Sequence, residues 1–214
     1  MNYDQVKYYS ERAKEYEKIY LKPERQNDLS TISQYLKDHF MNKTVMEIAC
    51  GTGYWTKFIS ESAESVVASD INENVLKLAK SKMYKCPVDF IAEDVFNISR
   101  GSGSYDAGFG GFIWSHISVN ELAPFLKSFL ANIKPGGTAI FIDNEYVEGN
   151  STPIAFYDDE GNTYQIRKLD DGSEYRVIKN YPSDDKMIDL IRPFASEYGI
   201  KRLRYFWILR IILS

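Results

Sequence analysis

Short apolar runs alternate with amphipathic segments of helical period throughout residues 44–143, and this alternation limits the chain to few folds. It predicts strands over residues 44–49, 65–69, 88–92, 105–109 and 138–143, separated by helices over residues 54–62, 72–83 and 121–133. Strand–helix–strand units of this kind cross over in a right-handed sense and build a parallel sheet. Because the strands are apolar along most of their length, we expect helices on both faces of a doubly wound α/β sheet.

The segments on either side of this alternation follow other patterns. Amphipathic helices are predicted over residues 4–20 and 27–40. After residue 143, two runs of strand-forming residues flank Asp-Asp-Gly-Ser at 170–173, which is typical of a β-hairpin. A helix over residues 184–198 and one or two strands over residues 201–212 complete the prediction.

Composition narrows the functional class. With 26 Lys and Arg against 30 Asp and Glu, the net charge is −4, which disfavours a general nucleic-acid binder. No apolar run approaches the roughly 20 residues of a membrane-spanning helix, and the first residues lack the apolar stretch of a signal peptide. Two cysteines, Cys50 and Cys86, cannot form a disulfide framework or a four-ligand metal site. We expect a cytoplasmic monomer or homodimer with neither membrane nor nucleic acid as a partner.

Three carboxylates follow or end successive strands of the predicted sheet. Glu47 precedes the glycine pair Gly51 and Gly53, where the first strand leads into a helix, and Asp70 and Asp94 follow the second and third strands. Doubly wound sheets bind ligands at this carboxyl edge. A carboxylate there can accept hydrogen bonds from ribose hydroxyls or from an adenine amine, so the pattern predicts a nucleoside site.

A dinucleotide cofactor is the alternative for such a site, since its ribose also binds an acidic residue about 20 residues further on. The third glycine of that fingerprint is missing, because Gly53 is followed by the bulky Tyr54 and Trp55. Glu47 would repel a diphosphate but suits a cation. An amino-acid ammonium or a sulfonium therefore fits the turn better.

The stretch Val-Met-Glu-Ile-Ala-Cys-Gly-Thr-Gly at 45–53 resembles the glycine-rich motif of the class I S-adenosylmethionine-dependent methyltransferases, with Ala49 where many members carry glycine. Residues 70–71, 94–95, 105–109 and 133–138 resemble that family's later motifs, and residues 8–16 resemble the N-terminal cap of its small-molecule members. The resemblance implies a seven-stranded, Rossmann-like, mostly parallel sheet. No linker, repeat or low-complexity segment divides the chain, so we expect one domain, with a helical cap (1–42), a cofactor-binding core (43–143), a hairpin insertion or lid (144–183) and a C-terminal helix with strands (184–214).

The cofactor implied by the resemblance is S-adenosylmethionine, with S-adenosylhomocysteine as product. The residues predicted to bind it are Tyr9, Tyr16, Glu47, Ala49, Gly51, Gly53, Trp55, Thr56, Asp70, Ile71, Asp94, Val95, Phe109 and Gly110. His116, which follows the fourth strand, is the candidate general base, and the alternative is that it packs at the start of the next helix. No metal is predicted, because the fourth strand ends in glycines and offers no acid to join Asp143.

Cations and tyrosines are concentrated in the segments outside the predicted parallel sheet. The hairpin carries Arg167, Lys168, Arg176 and Lys179 near Tyr164, Tyr175 and Tyr181. Such a lid could hold an anionic or aromatic acceptor, or the charges could simply balance Asp170, Asp171 and Glu174 in solvent. With the tyrosines of the first helix, chiefly Tyr9 and Tyr16, these rings predict an aromatic lid that attracts a sulfonium.

The predicted function is transfer of a methyl group, in line with the breaking C–S bond, to a small-molecule acceptor through O, N or C. Two alternatives remain open. One is a non-catalytic partner or sensor that binds the same cofactor, and the other is a nicotinamide-dependent oxidoreductase.

Overall fold

The computed structural model describes residues 3–12, 16–98, 101 and 103–214, with the side chains of residues 3, 4 and 16 outside the description. The strands are β1 (Thr44–Ile48), β2 (Ser65–Asp70), β3 (Val88–Ala92), β4 (Tyr105–Gly111), β5 (Ile133–Asn144), β6 (Phe156–Tyr157), β7 (Thr163–Lys168), β8 (Glu174–Ile178), β9 (Ala195–Arg202) and β10 (Phe206–Leu213). The α-helices are α1 (Tyr3–Glu11), α2 (Gln26–Phe40), α3 (Tyr54–Ile59), α4 (Glu73–Lys80), α5 (Val119–Leu130) and α6 (Asp184–Ile191), and 3-10 helices cover Tyr16–Leu21, Pro23–Arg25 and Trp114–His116.

Seven strands form the main sheet in the order β3-β2-β1-β4-β5-β10-β9. The first five run parallel, whereas β10 is antiparallel to both of its neighbours. The sheet confirms the predicted Rossmann-like, mostly parallel α/β fold. Its strand order reverses between β1 and β4, where a doubly wound sheet opens a crevice at its carboxyl edge.

Alternate residues of each strand supply two separate apolar cores. Val45 of β1 packs in the core that α2 and α3 cover, whereas Met46 packs in the core that α5 and α6 cover. Ile140 and Phe141 of β5 divide in the same way. Strands that are apolar on both faces are thus explained by two buried faces. Among the described residues, no helix is long and apolar enough to cross a membrane.

The single helix predicted over residues 4–20 is wrong. Helix α1 ends at Glu11, residues 13–15 lie outside the description, and residues 16–21 form a 3-10 helix. In that segment Tyr20 stacks on Tyr54 with ring centroids 3.6 Å apart. This long-range contact orders the segment in a way that the local helical period does not encode.

The C-terminal helix predicted to reach residue 198 is also wrong. Helix α6 ends at Ile191, and residues 195–202 form the edge strand β9. Pro193 explains the early end, since proline lacks the N–H that a continuing helix needs. The remaining predicted elements exist with shifted ends, most notably at β5, which begins at Ile133 and has an irregular register with β4.

The predicted hairpin is present as β7 and β8, and β6 adds a third antiparallel strand beside β7. Helix α1 packs against β8, which places the N-terminal segment and the hairpin together above the main sheet. Gln5 makes this contact specific, because its side chain donates to His116 O at 3.1 Å and accepts from Ile178 N at 3.3 Å.

A buried ion pair joins the hairpin to the main sheet. Lys179 Nζ, just after β8, lies 2.7 Å from Asp143 Oδ1 in β5, and the two side chains are 3% and 0% exposed. Lys179 also donates to Ser115 Oγ at 2.7 Å, and Asp143 Oδ2 accepts from Ser115 N at 2.9 Å. Three segments distant in sequence are therefore held by one set of charge-assisted hydrogen bonds.

Removing the cation of this pair should strongly destabilise the fold. We expect Lys179→Met to lower the free energy of unfolding by about 3–5 kcal/mol, because Asp143 would remain buried and unpaired. Urea unfolding measures the loss. The matched control is Lys168→Met, which removes an exposed pair with Glu174 and should leave unfolding unchanged. Equal effects of the two changes would contradict the structural role of the buried pair.

Candidate functional site

A cavity with an empty volume of about 650 Å³ lies at the carboxyl edge of the sheet, beneath α1. Of the sequence-predicted site residues, those that line it are Tyr9, Ala49, Gly51, Asp70, Ile71, Val95 and His116. The lining residues that the sequence did not predict are Gln5, Val6, Thr52, Asn72, Val75, Gly111, Phe112 and Ile113. We refer to it below as the first cavity.

The glycine turn after β1 forms one wall of the first cavity. Ala49, Gly51 and Gly53 all have positive φ, at 50°, 55° and 76°. A Cβ added at Gly51 would meet no atom within 4 Å, so the backbone there borders open space that a ligand can occupy. Ala49 adopts the left-handed region without being glycine, which costs about 1–2 kcal/mol.

Asp70 fixes this turn against the end of β2. Its Oδ2 accepts from Gly51 N and its Oδ1 accepts from Asn72 N, both at 2.9 Å. Burial raises the pKa of the Asp70 carboxyl, and the two backbone N–H groups oppose that effect. Since an ionised carboxylate offers about four acceptor positions, Asp70 can hold the turn and still accept hydrogen bonds from a ligand in the cavity.

Glu47 lies below the turn and outside the cavity lining. Its side chain is 1% exposed, and Oε2 has no hydrogen-bond partner among the described residues. Burial raises the pKa of Glu47 to about 8. Glu47 is therefore largely protonated at pH 7, and a cation bound nearby would favour its ionised form.

The other residues predicted to bind the cofactor lie away from the lining. Trp55 and Phe109 pack in the apolar core, and a Cβ added at Gly110 would approach the Phe141 ring to 2.8 Å. Asp94 is half-buried and accepts from Phe96 N at 3.0 Å. The residues that also fall outside the lining are Gly53 and Thr56, and the side chain of Tyr16 lies outside the described residues.

The predicted aromatic lid is present only in part. Tyr9 lines the first cavity, whereas Tyr8 is buried and its ring packs edge-to-face against the ring of Tyr9. Tyr20 stacks on Tyr54, and Tyr175 donates a hydrogen bond to Glu11. Most of the described tyrosines considered for the lid therefore hold the N-terminal segment and the hairpin in place, and Tyr9 is the one that reaches the cavity from α1.

His116 lies where the 3-10 helix after β4 meets α1 and β8. Its Nδ1 is 2.6 Å from Ile178 O, and its Nε2 is 2.7 Å from the Tyr9 hydroxyl. Because a carbonyl can only accept, Nδ1 carries the proton and Nε2 accepts from Tyr9. Burial, reinforced by the charge of Lys179, lowers the pKa of His116 to about 3. The imidazole is therefore neutral at pH 7, with Nε2 as its acceptor nitrogen.

A second cavity, of about 860 Å³, adjoins the first and shares Tyr9, Phe112 and His116 with it. Phe112 lines both cavities and has a φ of 58°, which is a strained conformation for a bulky residue. The cationic residues of the second cavity are Arg12, Lys22, Arg25, Arg167 and Lys179.

The hairpin cations divide between this cavity and the surface. Arg167 and Lys179 line the second cavity, together with Tyr181. Lys168 pairs with Glu174, and Arg176 lies over the rings of Phe156 and Tyr164 on the exterior. Alternation along a strand explains the division, since neighbouring side chains point to opposite faces.

The described residues contain no group of three or more His, Cys, Asp or Glu that could hold a metal ion. Asp143, considered as a metal ligand from the sequence, instead accepts hydrogen bonds at both oxygens from Lys179, Ser115 and Asn144.

The low pKa of His116 predicts a pH dependence of stability. An unfolded histidine titrates near pH 6.5, so below that pH the unfolded chain takes up a proton that the folded site excludes. Stability should therefore fall as the pH drops from about 6.5 toward 3, by up to about 1.4 kcal/mol per pH unit from this group.

Urea unfolding between pH 7 and pH 4.5 measures the effect. His116→Asn should flatten the pH dependence, and the matched change His39→Asn should leave it as in the unaltered protein. A dependence that persists unchanged in His116→Asn would contradict the assignment of a buried neutral imidazole.

Comparison with known proteins adds an independent line of information. Residues 45–137, which contain the glycine turn and Asp70, match the family described as "Methyltransferase domain". A demethylmenaquinone methyltransferase of Lactococcus lactis subsp. lactis is 28% identical over 109 residues, covering 48% of this chain and 42% of the relative. A malonyl-[acyl-carrier protein] O-methyltransferase of Priestia megaterium is 29% identical over 112 residues, covering 50% and 39%. The chain thus spans about two fifths of the length of these relatives.

A solved structure, the DhpI–SAH complex, has the same fold over nearly the whole chain. It superimposes with a TM-score of 0.81 and 23% sequence identity, covering 99% of this chain and 96% of the other. The N-terminal segment and the hairpin therefore belong to the shared architecture as well as the sheet.

Proposed function

We propose that this chain, which belongs to the class I S-adenosylmethionine-dependent methyltransferases, transfers a methyl group from S-adenosylmethionine to a small-molecule acceptor. The observation that carries the proposal is the first cavity. It opens where the sheet order reverses, within the matched family segment, and Asp70 and the glycine turn form its wall.

The residues of the first cavity suit S-adenosylmethionine. Asp70 would accept hydrogen bonds from the ribose hydroxyls, and the bare backbone at Gly51 would allow close approach of the amino-acid portion. Ile71 and Val95 offer apolar surface for the adenine. The positive charges of the ligand would favour the ionised form of buried Glu47, which would then attract them through space. Asp94 is proposed for the adenine amine on the strength of its family motif.

The neighbour's description supports this assignment, since the DhpI structure is described as a complex with SAH. When bound, the cofactor supplies an activated sulfonium methyl group. The chain's contribution is to align an acceptor with that group, and positioning of this kind can supply about 7–11 kcal/mol of the barrier.

His116 is proposed as the group that receives a proton from the acceptor. Its Nε2 is unprotonated at neutral pH, and the side chain lines both cavities. Tyr9 occupies Nε2 in the present arrangement, so the acceptor would replace its hydroxyl or lose a proton through it. A general base contributes about 10²–10⁴-fold to the rate when its pKa lies near the working pH, so this role requires the bound acceptor to raise the pKa of His116 from about 3.

The two proposed nucleoside contacts can be tested by binding alone. We expect Asp70→Ala and Asp94→Ala each to weaken S-adenosylhomocysteine binding by about 1.5–3 kcal/mol, because each removes a charged hydrogen-bond acceptor. Titration calorimetry measures the affinity. Asp89→Ala, at an exposed carboxylate on β3, is the matched control and should change nothing. Unchanged affinity in both test variants would overturn the placement of the cofactor.

The activity itself can be tested with S-adenosylmethionine labelled on its methyl group and fractionated metabolites, with the product mass determined. We expect a product heavier by one methylene and stoichiometric S-adenosylhomocysteine. Cofactor binding without turnover on any fraction would favour the partner or sensor alternative. Thermal stabilisation by NAD(H) in place of S-adenosylmethionine would favour the oxidoreductase alternative.

A further inference from the structure

The second cavity is lined mainly by positive charges, although the chain as a whole is negatively charged. It presents five cationic residues, whereas the chain as a whole carries a net charge of −4. Among the described residues its one acidic lining residue is Glu145, which is already paired with Arg202. An excess of positive charge is thus concentrated in a concave surface next to the first cavity.

Two of these cations, Arg25 and Arg167, have no acidic partner. Lys179 is neutralised by Asp143, but no ion pair of Arg25 or Arg167 exists among the described residues. Arg25 donates to Asn150 Oδ1 at 2.9 Å, and Arg167 donates to Thr152 Oγ1 at 3.1 Å. Both acceptors are neutral, and the exposed carboxylate of Glu24 acts on Arg25 only through space, without an ion pair.

Each of the two guanidinium groups also has a buried N–H donor that makes no hydrogen bond to the described residues. The Nε atoms of Arg25 and Arg167 are both buried, and neither has a hydrogen-bond partner within the described residues. Burial lowers the pKa of Arg25 and the nearby charge of Arg167 adds to the effect, whereas Glu24 and Tyr205 oppose it. Buried charged donors without partners are costly, so their retention here points to a ligand that completes them.

Neighbouring side chains hold Arg25 in this unfavourable place. Its guanidinium carbon lies 5.7 Å from the Tyr205 ring centroid and 5.8 Å from that of Phe206, on the core side of the cavity. A guanidinium fixed in this way is preorganised for an oxyanion, which it can bind through two parallel N–H bonds.

We propose that the second cavity binds the methyl acceptor through an oxyanion group, carboxylate or phosphoryl, held by Arg25 and Arg167. This rests on the proposed function, because it assigns the first cavity to the cofactor. With the anion at the arginines, the rest of the acceptor extends toward Tyr9 and His116, where the two cavities meet. The anionic group therefore selects the acceptor and sets its orientation.

The first experiment uses the protein saturated with S-adenosylhomocysteine, titrated separately with inorganic phosphate and with acetate. We expect binding of at least one of these ions, weakened about 10-fold or more in Arg25→Gln and in Arg167→Gln. The affinity for S-adenosylhomocysteine itself should stay within about 2-fold, because neither arginine lines the first cavity. Preference between the two ions distinguishes a phosphoryl acceptor from a carboxylate.

The matched control is Arg176→Gln, a hairpin arginine that stacks on Phe156 outside the cavity. It should alter neither anion nor S-adenosylhomocysteine binding. Absence of binding of either ion to the unaltered protein, or equal weakening by all three changes, would overturn the proposal. Failure of the unaltered protein to bind S-adenosylhomocysteine would instead overturn the proposed function.

The second experiment passes the metabolite mixture over an anion-exchange resin before the methyl-transfer assay. We expect the acceptor to be retained at neutral pH, and Arg167→Gln to raise its KM about 10-fold or more with the KM for S-adenosylmethionine unchanged. An acceptor found in the unretained fraction would overturn the anionic assignment while leaving the methyltransferase function in place.

Discussion

The arrangement of the site depends on the buried ion pair between Lys179 and Asp143. It joins the end of β5, the end of the hairpin and the turn that carries His116, which are far apart in sequence. A buried charge without its partner is strongly unfavourable, so the pair permits only the geometry in which all three segments meet.

The same cation influences the chemistry of its neighbour. Lys179 and the surrounding burial together keep His116 unprotonated at neutral pH, and Ile178 O fixes which ring nitrogen carries the hydrogen. A residue that holds the fold together thereby also sets the acceptor state of Nε2. Structural and electrostatic roles are combined here because the hairpin ends at the junction of the two cavities.

The parts of the fold that the sequence predicted are those governed by local pattern. Parallel strands that are apolar on both faces can be recognised in the sequence as short apolar runs. The sheet topology then brings Gly51 and Asp70 to its carboxyl edge. The edge strand β9 was missed because it is largely exposed and has no apolar alternation, although Pro193 was a usable signal against a longer helix. Gln5, Phe112 and Arg25 were not predicted as site residues, because each reaches the site through contacts with residues distant in sequence.

Phe112 has a consequence that concerns how the fold balances stability against activity. Its left-handed backbone would suit glycine, yet the residue lines both cavities and its ring packs against Tyr20, Trp55 and Phe206. The strain is thus retained at the boundary where two ligands would meet. Glycine at this position would relieve the backbone but would remove a ring that packs in the core and lines both cavities, so the strained backbone is retained for the side chain that it carries.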